Sequence, residues 1–261
     1  MARYVAVYRT FFLTSLRREL EFRSNFFAKI LQNLMWIFFF LAILFVIYRN
    51  TDSIAGWSRG EAYILAATVF LMNALMSAFF MSLSEIPGHV RTGTLDHIVT
   101  KPIDSQFWIS SRKFDFGQIG TLFAGMVMVA VGLYQAEVTP SMAQWFAYIL
   151  LTFGSLAIYY SFILALMTTG IWLVRVDNLW VLGESVLQVV RFPLDIYNVG
   201  LQRILIFVVP LGFLATVPAR QLVREFDPGM LAIGMVWSLG AVYLARRFWV
   251  FAMRHYTSAS S

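Results

Sequence analysis

The sequence contains no cysteine and only three histidines. Without cysteine, the chain has no disulfide framework, no thiol nucleophile and no cysteine-ligated metal site. The histidines are His89, His97 and His255, and each lies outside the long apolar runs of the chain. A catalytic or metal site that depends on histidine is therefore excluded from those runs.

Three motifs of enzymes are also absent. The chain has no G-x-x-x-x-G-K-[ST] phosphate-binding loop, no G-x-S-x-G nucleophile turn and no H-E-x-x-H zinc motif. It lacks the clusters of acidic residues with which a lipid-modifying membrane enzyme would bind metal ions. We therefore expect no catalytic residue, no metal site and no cofactor-binding residue on this chain.

Charged residues are scarce. Only 13% of the residues are charged and 59% are hydrophobic, whereas about a quarter of the residues of a soluble protein are charged. The chain has several apolar runs that reach the length of about 20 residues needed to span a membrane. These features predict an all-α polytopic membrane protein. Its net charge of +6 then indicates contact with anionic membrane lipid, not with nucleic acid.

Five membrane spans follow directly from the apolar runs. They are expected at residues 28–48, 61–83, 116–134, 145–174 and 230–250. Between the last two of these, Pro193, Pro210 and Pro218 interrupt the chain, so this region is not one helix. It holds two apolar pieces, Leu179–Phe192 and Leu201–Val217. One piece is expected to cross the membrane, and the other to form a re-entrant hairpin surrounded by protein or water.

The N-terminal segment has its own pattern. Tyr4, Tyr8, Phe12, Leu16 and Leu20 recur at helical spacing among several arginines. This spacing predicts an amphipathic interface helix on the cytoplasmic surface over residues 1–27, followed by a single transmembrane domain, 28–261. The alternative is a basic leader that is only solvated.

The orientation follows from the basic residues. Most of the 20 lysines and arginines lie in the N-terminal segment, in the long polar insert or near the C-terminus. The short links after the first and third spans hold only Arg49 and Arg59. By the positive-inside rule, both termini are then cytoplasmic. We expect a multi-pass protein of the bacterial inner (cytoplasmic) membrane.

The longest polar insert covers residues 84–115, between the second and third predicted spans. Gly93 and Thr94 predict a turn followed by a helix N-cap. Lys101 and Pro102 end that helix, because proline cannot continue it. The insert is therefore expected to be structured and to hold one short helix at its centre.

That short helix is amphipathic. Leu95, Ile98 and Val99 share one face, and Asp96 and His97 lie on the other. The helix either fits a groove on a soluble partner or seals the cytoplasmic ends of the neighbouring spans. The residue pattern favours neither interpretation.

Four motifs stand out in the chain: Gly93-Thr94-Leu95-Asp96, Thr100-Lys101-Pro102, Arg191-Phe192-Pro193-Leu194-Asp195-Ile196-Tyr197, and the ending Phe248-Trp249 with Tyr256-Thr257-Ser258-Ala259. Together with the order of segments, these motifs resemble the type-2 ABC exporter permeases. The resemblance covers essentially the whole chain. It implies the membrane permease subunit of an ATP-binding-cassette exporter, which is not itself an enzyme.

The resemblance also implies partners and a topology. Two cytoplasmic ATPase subunits, which carry ATP and Mg, would assemble with this chain and with a second permease chain, identical or related. The fifth span would be 178–193 and the re-entrant hairpin 201–222, which makes six transmembrane helices. The insert would be the coupling helix, and the residues expected to couple to the ATPase are Glu85, Arg91, Gly93, Thr94, Leu95, Asp96, Ile98, Lys101 and Pro102.

Polar residues inside the predicted spans are few. Glu184, Gln188 and Arg191 share one face of the predicted fifth span, and Asn73 and Ser77 lie on the second. An ionisable group at membrane depth indicates function, so these five residues are the candidate translocation path. The alternative is structural: an arginine or an amide in the bundle satisfies the Glu184 carboxylate, and the small and amide residues join helices.

A second class of function fits the same residues. A non-transporting membrane anchor or sensor would use residues 84–104 to recruit a cytoplasmic partner. Transport and recruitment differ in one observable property, because only a transporter requires ATP hydrolysis by the assembled complex.

Overall fold

The computed structural model describes residues 2–173 and 179–256, apart from the side chain of Leu187. The helices and strands are α1 (Ala2–Glu21), α2 (Arg23–Arg49), β1 (Ser53–Ile54), β2 (Trp57–Ser58), α3 (Arg59–Phe80), α4 (Ile86–Arg91), α5 (Leu95–Val99), α6 (Ser105–Ser111), α7 (Ile119–Ala136), α8 (Met142–Thr169), α9 (Leu179–Gln188), α10 (Val199–Phe207), α11 (Thr216–Val223) and α12 (Pro228–Arg254). The two short strands pair antiparallel and form a hairpin between α2 and α3.

Five helical segments among the described residues are long and apolar enough to cross a membrane. They are Arg23–Arg49, Arg59–Arg91, Phe116–Ala136, Met142–Thr169 and Pro228–Arg254. Each coincides with one of the spans predicted from the apolar runs, which confirms an all-α polytopic membrane protein. The second segment extends beyond its predicted end because the chain remains helical as it enters the polar insert.

The fourth predicted span was too long at its end. α8 ends at Thr169 and not at residue 174, which lies outside the described residues. The backbone N–H of Gly170 bonds to the carbonyl oxygen of Met167 at 3.1 Å and tightens the last turn. Apolar residues continue to Leu173 after the helix has ended, so the hydropathy pattern overestimated the span.

The predicted fifth span, 178–193, is broken into short pieces. α9 contains 10 residues and is followed by a 3₁₀ turn, Val189–Arg191, and then by extended backbone at Phe192. A helix of this length rises only about 15 Å, whereas the hydrocarbon core is about 30 Å thick. α9 is therefore not among the five long apolar helices.

Three of the long helices begin at strong caps. The Ser58 hydroxyl accepts a hydrogen bond from the Glu61 N–H, and the Glu61 carboxylate accepts one from the Ser58 N–H. Ser141 and Gln144 form the same capping box at the start of α8, and Asp227 caps α12. These caps satisfy backbone N–H groups that have no partner within their own helix.

The long helices approach one another closely where glycines lie between them. A Cβ atom on Gly60 of α3 would lie 2.4 Å from the backbone nitrogen of Ala136, and one on Gly132 of α7 would lie 2.8 Å from the Gly60 carbonyl oxygen. Between α8 and α12, a Cβ atom on Gly154 would lie 2.6 Å from Ser238 Oγ. Small residues thus allow the close packing typical of membrane helices.

The region between α9 and α12 forms a broken hairpin. Asn198 caps α10, the chain turns through a 3₁₀ segment at Leu211–Leu214, and α11 returns along α8. Near the middle of α8, the Ser155 hydroxyl donates a hydrogen bond to the carbonyl oxygen of Phe213. A carbonyl group left free by the turn is thereby satisfied inside the protein.

Two contacts locate the chain on either side of α9. Trp172, just after α8, packs against Phe248 near the C-terminal end of α12, with ring centroids 5.9 Å apart. Further along the chain, Asp195 Oδ2 accepts a hydrogen bond at 2.8 Å from the indole N–H of Trp57, in the hairpin before α3. Trp172 and Asp195 therefore lie near opposite ends of the bundle.

Candidate functional site

The polar insert folds into three short helices, α4, α5 and α6. α3 continues into α4 through a 3₁₀ turn at Met81–Glu85. Gly93, with a φ of +68°, makes the turn between α4 and α5. Thr94 occupies the N-cap position of α5 without a capping bond from its side chain; its hydroxyl lies 2.7 Å from His89 Nδ1. The predicted turn and helix start are confirmed.

Leu95 and Ile98 do not face outward. They are 0% and 2% exposed, and they belong to the same apolar cluster as Ile86, Val90 and Ile109. Packing inside the chain removes both aliphatic side chains from water, whereas an exposed docking face would leave them hydrated. The expectation that they form such a face is wrong. They seal the end of the bundle, as the alternative interpretation had it.

The outward surface of the insert is largely polar. We call it the insert tip, and its exposed residues are Arg91, Thr92, Thr94, His97, Val99, Thr100, Lys101 and Pro102. Gly93 and Asp96 are partly exposed beside it. The Tyr256 hydroxyl lies next to Asp96, and burial together with that carboxylate raises the pKa of Tyr256. The C-terminal end of the described chain is therefore adjacent to the insert.

Glu85 holds the two ends of the insert together. Its carboxylate lies 2.9 Å from Arg112 Nη2 and 3.8 Å from His89 Nε2, and it also pairs with Lys113. The Arg112 guanidinium lies over the ring of Trp108, 4.9 Å from its centroid. Glu85, which the resemblance assigned to coupling, thus organises the insert itself.

α1 lies against the insert. Tyr4 and Tyr8 contact Phe107 and Phe114 edge to face, with ring centroids 4.9 and 5.1 Å apart. The Ser15 hydroxyl accepts a hydrogen bond from the Phe114 N–H at 3.2 Å. A helix is present at the predicted position, and two residues of its aromatic stripe, Tyr4 and Tyr8, pack on the insert.

A basic residue connects α1 to the spans. Lys29 Nζ, on α2, lies 3.1 Å from Glu19 Oε1 of α1 and 3.4 Å from Asp115 Oδ1 before α7. The Glu19 side chain is only 6% exposed. Because a buried carboxylate requires a partner, this contact fixes the position of α1.

Asp104 joins the insert to α12. Its Oδ1 and Oδ2 atoms accept hydrogen bonds from Arg246 Nη1 and Nη2 at 3.0 and 2.6 Å, and it caps α6 by accepting from the Phe107 N–H. Burial opposes ionisation of Asp104, but these hydrogen bonds outweigh burial and hold its pKa below the usual range. The pair is therefore charged at neutral pH.

Further hydrogen bonds hold α6 to the long helices. Arg246 also donates to Gln106 Oε1 at 3.0 Å, and the Gln106 amide donates to the Tyr160 hydroxyl of α8 at 3.0 Å. The indole N–H of Trp249 donates to Ser105 Oγ at 3.1 Å. Through these contacts α6 is bound to both α8 and α12.

The sequence did not single out the pair of Asp104 and Arg246. Asp104 precedes Ser105 in the pattern of an N-cap, which is a local signal for the start of α6. Its partner is 142 residues away, and no spacing rule connects positions so distant. Only the folded chain identifies this contact.

The five candidate path residues lie on two parts of the bundle. Glu184 and Gln188 are exposed on α9, whereas Arg191 is partly buried in the turn after it. Asn73 and Ser77 are partly buried on α3. α3 contacts the turn Val189–Arg191 that follows α9, so the two sets of candidate residues lie on neighbouring parts of the bundle.

Glu184 has a polar neighbour of its own. Its Oε1 atom accepts a hydrogen bond from the indole N–H of Trp180 at 2.9 Å. Among residues 2–173 and 179–256, the ion pairs do not include Glu184. Pairing with an arginine, one of the two forms of the structural alternative for this residue, is thus not seen within the described part of the chain.

A second polar network closes the opposite end of the bundle. Asp195 pairs with Arg220 of α11 in addition to its bond with Trp57. Arg224, just after α11, lies 2.7 Å from Glu61 Oε1 at the start of α3. Asp195, Arg220 and Arg224 line a cavity of about 430 Å³. Sequence reasoning noted Asp195 within a motif but missed the network.

Residues 33–260 match the family model described as "ABC-2 family transporter protein". The chain belongs to the ABC-2 transporter family. The matched region includes the insert, the Asp104–Arg246 pair, the polar network at Asp195 and all helices from α3 to α12. No curated protein matches the chain with significance.

Membership of the ABC-2 family makes this protein a component of membrane transport that is not itself catalytic. ABC-2 membrane proteins associate in general with ATP-binding-cassette ATPases. Because the match begins at residue 33, α1 precedes it. In this ABC-2 protein, however, α1 is integrated with the insert through the Tyr4–Phe107 and Tyr8–Phe114 contacts.

Proposed function

We propose that this chain is the permease subunit of an ATP-binding-cassette exporter in the bacterial inner membrane. Family membership makes it a transport component. The proposed coupling to an ATPase is supported by the structure of the insert. The insert is a compact polar projection whose tip is exposed while its base is bound to α8 and α12. ATP and Mg would be bound by two separate ATPase subunits, and this chain would supply the passage for the substrate.

Six crossings of the membrane would put both termini in the cytoplasm. The long helices would supply five, and a sixth would lie between Trp172 and Asp195, because these two residues lie near opposite ends of the bundle. It would pass α8 on the way: a Cβ atom on Gly183 would lie 2.5 Å from Ile163 Cδ1. The basic insert then lies on the cytoplasmic side.

Residues 201–222 would form a re-entrant hairpin from the outer side. The bond from Ser155 to the Phe213 carbonyl supports this, because backbone groups at membrane depth need partners within the protein. Both ends of the hairpin are tied to one side of the bundle. Asp195, before it, bonds to Trp57, and Arg224, after it, donates to the Gly56 carbonyl oxygen at 2.7 Å.

The insert tip would be the surface that docks on the ATPase. Arg91 and Lys101 make this surface basic, and both are exposed. An acidic groove on the ATPase would complement it. Leu95 and Ile98 would act indirectly, by holding α5 in place from the inside.

A second permease chain, identical or related, would face α9. Glu184 and Gln188 are exposed on the surface of the single chain. A carboxylate at the centre of a lipid bilayer is unfavourable by about 3 kcal/mol, so this face is better placed against water or protein. Two such faces, one from each chain, would border the translocation path.

Purification from native membranes tests the proposal. A tagged chain should co-purify an ATPase, and the complex should hydrolyse ATP. The variant Lys101→Glu at the insert tip should reduce ATPase recovery, while Asp52→Lys, at the exposed position 52 near the other end of the bundle, should not. Recovery of a partner without ATP hydrolysis would instead support an anchor or sensor. If Lys101→Glu recovered as much ATPase as the unmodified chain, the insert tip would not be part of the interface.

The topology is tested by labelling single cysteines with a membrane-impermeant reagent. The chain has no cysteine of its own, so His97→Cys and Glu137→Cys each provide one unique thiol. In intact cells, position 137 should react and position 97 should not. Reaction at position 97 from outside would reverse the proposed orientation.

A further inference from the structure

The insert is attached to the bundle in two different ways. α5 is held by the apolar side chains of Leu95 and Ile98, and such contacts have no preferred direction. α6 is held by directional hydrogen bonds to several elements. One of them joins the Ser82 hydroxyl, in the turn after α3, to the carbonyl oxygen of Ile109 at 2.7 Å.

The contact of α6 with α12 has the most defined geometry. Arg246 meets Asp104 through two parallel N–H···O bonds, one to each carboxylate oxygen. A bidentate pair fixes orientation as well as distance. The backbone N–H of Asp104 also donates to the Tyr4 hydroxyl of α1 at 3.2 Å. α1, α6 and α12 thus meet at one residue.

The pair is not a buried element of the core. The side chains of Arg246 and Asp104 are 44% and 31% exposed, and ion pairs with this exposure contribute little to stability. The fold is therefore not expected to depend on the pair. What the pair does determine is the position of α6 relative to the last span.

We propose that the Asp104–Arg246 pair transmits movement of the insert to α12. Both are positioning residues. The inference rests on the proposed function, because an ATPase docked on the insert tip supplies the movement. When the tip moves, α6 moves with it, and the bidentate pair carries α12 along. α12 begins just after its capping residue, Asp227, at the opposite end of the bundle, so the displacement would reach the polar network of Asp195, Arg220 and Arg224.

Two reporter cysteines distinguish transmission from docking. One is Thr100→Cys in the insert tip, and the other is Glu225→Cys just before α12. Both positions are exposed. Each is introduced separately into the complete permease–ATPase complex in lipid vesicles. The rate of maleimide labelling is measured with and without ATP plus vanadate. In the otherwise unmodified chain, both rates should change severalfold when nucleotide is added.

The variants are chosen to leave the fold intact. Asp104→Asn removes the charge but keeps a side chain that caps α6 well, and Arg246→Gln removes the guanidinium. In both variants, the reporter at position 100 should still respond to nucleotide while the reporter at position 225 should not. Arg247→Gln, an exposed neighbour on α12, is the matched control and should retain both responses. Melting temperatures should be nearly unchanged.

The other outcomes overturn the proposal. If position 225 still responds in Asp104→Asn and Arg246→Gln, the movement does not pass through the pair. If position 100 also stops responding, the pair serves docking and not transmission. If the unmodified chain assembles with no ATPase, the proposed function itself fails, and the pair has no movement to transmit.

Discussion

The two ends of this bundle are both closed by charged side chains, but they connect different kinds of structure. At the insert end, Asp104 and Arg246 join a projecting polar segment to a long regular helix. At the opposite end, Asp195 and Arg220 join two parts of an irregular segment to each other. The first arrangement connects the exposed insert to a long regular helix. The second holds broken backbone together.

The middle of the bundle differs from both ends. Here α3 packs on α7 and α8 packs on α12 through apolar side chains and glycines. Apolar packing tolerates small sliding movements, whereas a bidentate ion pair has one favourable geometry. The comparison therefore predicts that stability depends mainly on the middle and on apolar seals. Coupling should depend on the polar contacts at the insert end.

The largest expected effect on stability comes from the inward packing of Leu95 and Ile98 on α5. Leu95→Asp would place a carboxylate at a position that is 0% exposed, and an unpaired buried charge destabilises a protein by about 3–5 kcal/mol. We expect a lower yield of folded chain and a lower melting temperature in detergent. Val99→Asp on the same helix is the control, because Val99 is 46% exposed. Equal melting temperatures of the two variants would contradict inward packing of α5.

The next effect concerns the close contact between α3 and α7. In Gly60→Ala, the added Cβ atom would lie 2.4 Å from the Ala136 backbone nitrogen, so the two helices must move apart. Overpacking of this kind destabilises by about 1–3 kcal/mol. Gly240→Ala is the matched control, because no atom lies within 4 Å of its added Cβ. Thermal unfolding in detergent should separate the two variants, and an unchanged melting temperature for Gly60→Ala would refute the contact.

Two variants with smaller expected effects on stability allow a direct comparison of the two ends of the bundle. Asp195→Asn and Glu85→Gln each remove the charge of a partly exposed carboxylate, so each should lower stability by about 1 kcal/mol. Only Glu85→Gln should also lower ATP turnover by the assembled complex, because Glu85 shapes the insert. If Asp195→Asn lowered turnover to the same extent, the two ends would not differ in function.

The smallest expected effect on stability is in the polar network that contains Arg224 and Glu61. Arg224→Lys keeps the charge opposite Glu61 but loses the guanidinium contact with the Trp57 ring, 5.8 Å from its centroid. A cation–π contact at an exposed site contributes about 0.5–1 kcal/mol, so the melting temperature should fall slightly. Arg59→Lys, at an exposed arginine bonded to Gln135, should have a still smaller effect. A larger fall with Arg59→Lys would reverse the ranking.

Much of the architecture was predictable because its signals are local. The apolar runs predicted the five long helices, and their start positions agree with caps such as Ser141 at α8. Gly93 correctly predicted the turn inside the insert. Each of these signals depends on residues within a few positions of one another. Hydropathy failed at Leu173, because a run of apolar residues continues there after the helix has ended.

The candidate site was predicted less well. The sequence located the insert and its short helix but not the direction in which Leu95 and Ile98 point. An amphipathic pattern shows that one face prefers to be buried, and it does not show whether this chain or a partner buries it. The Asp104–Arg246 pair and the network at Asp195 were missed for a related reason. Their members come from elements that are far apart in the chain.

The sequence by itself determined that this is an all-α membrane protein and where most of its spans lie, because the length of an apolar run is a one-dimensional property that the bilayer thickness selects. The tertiary structure decided which side of the insert is exposed, how α1 is used and which charges meet. Those outcomes depend on through-space distances. Each buried or charged side chain must find its partner among all the elements that pack around it, and only the folded chain supplies those elements.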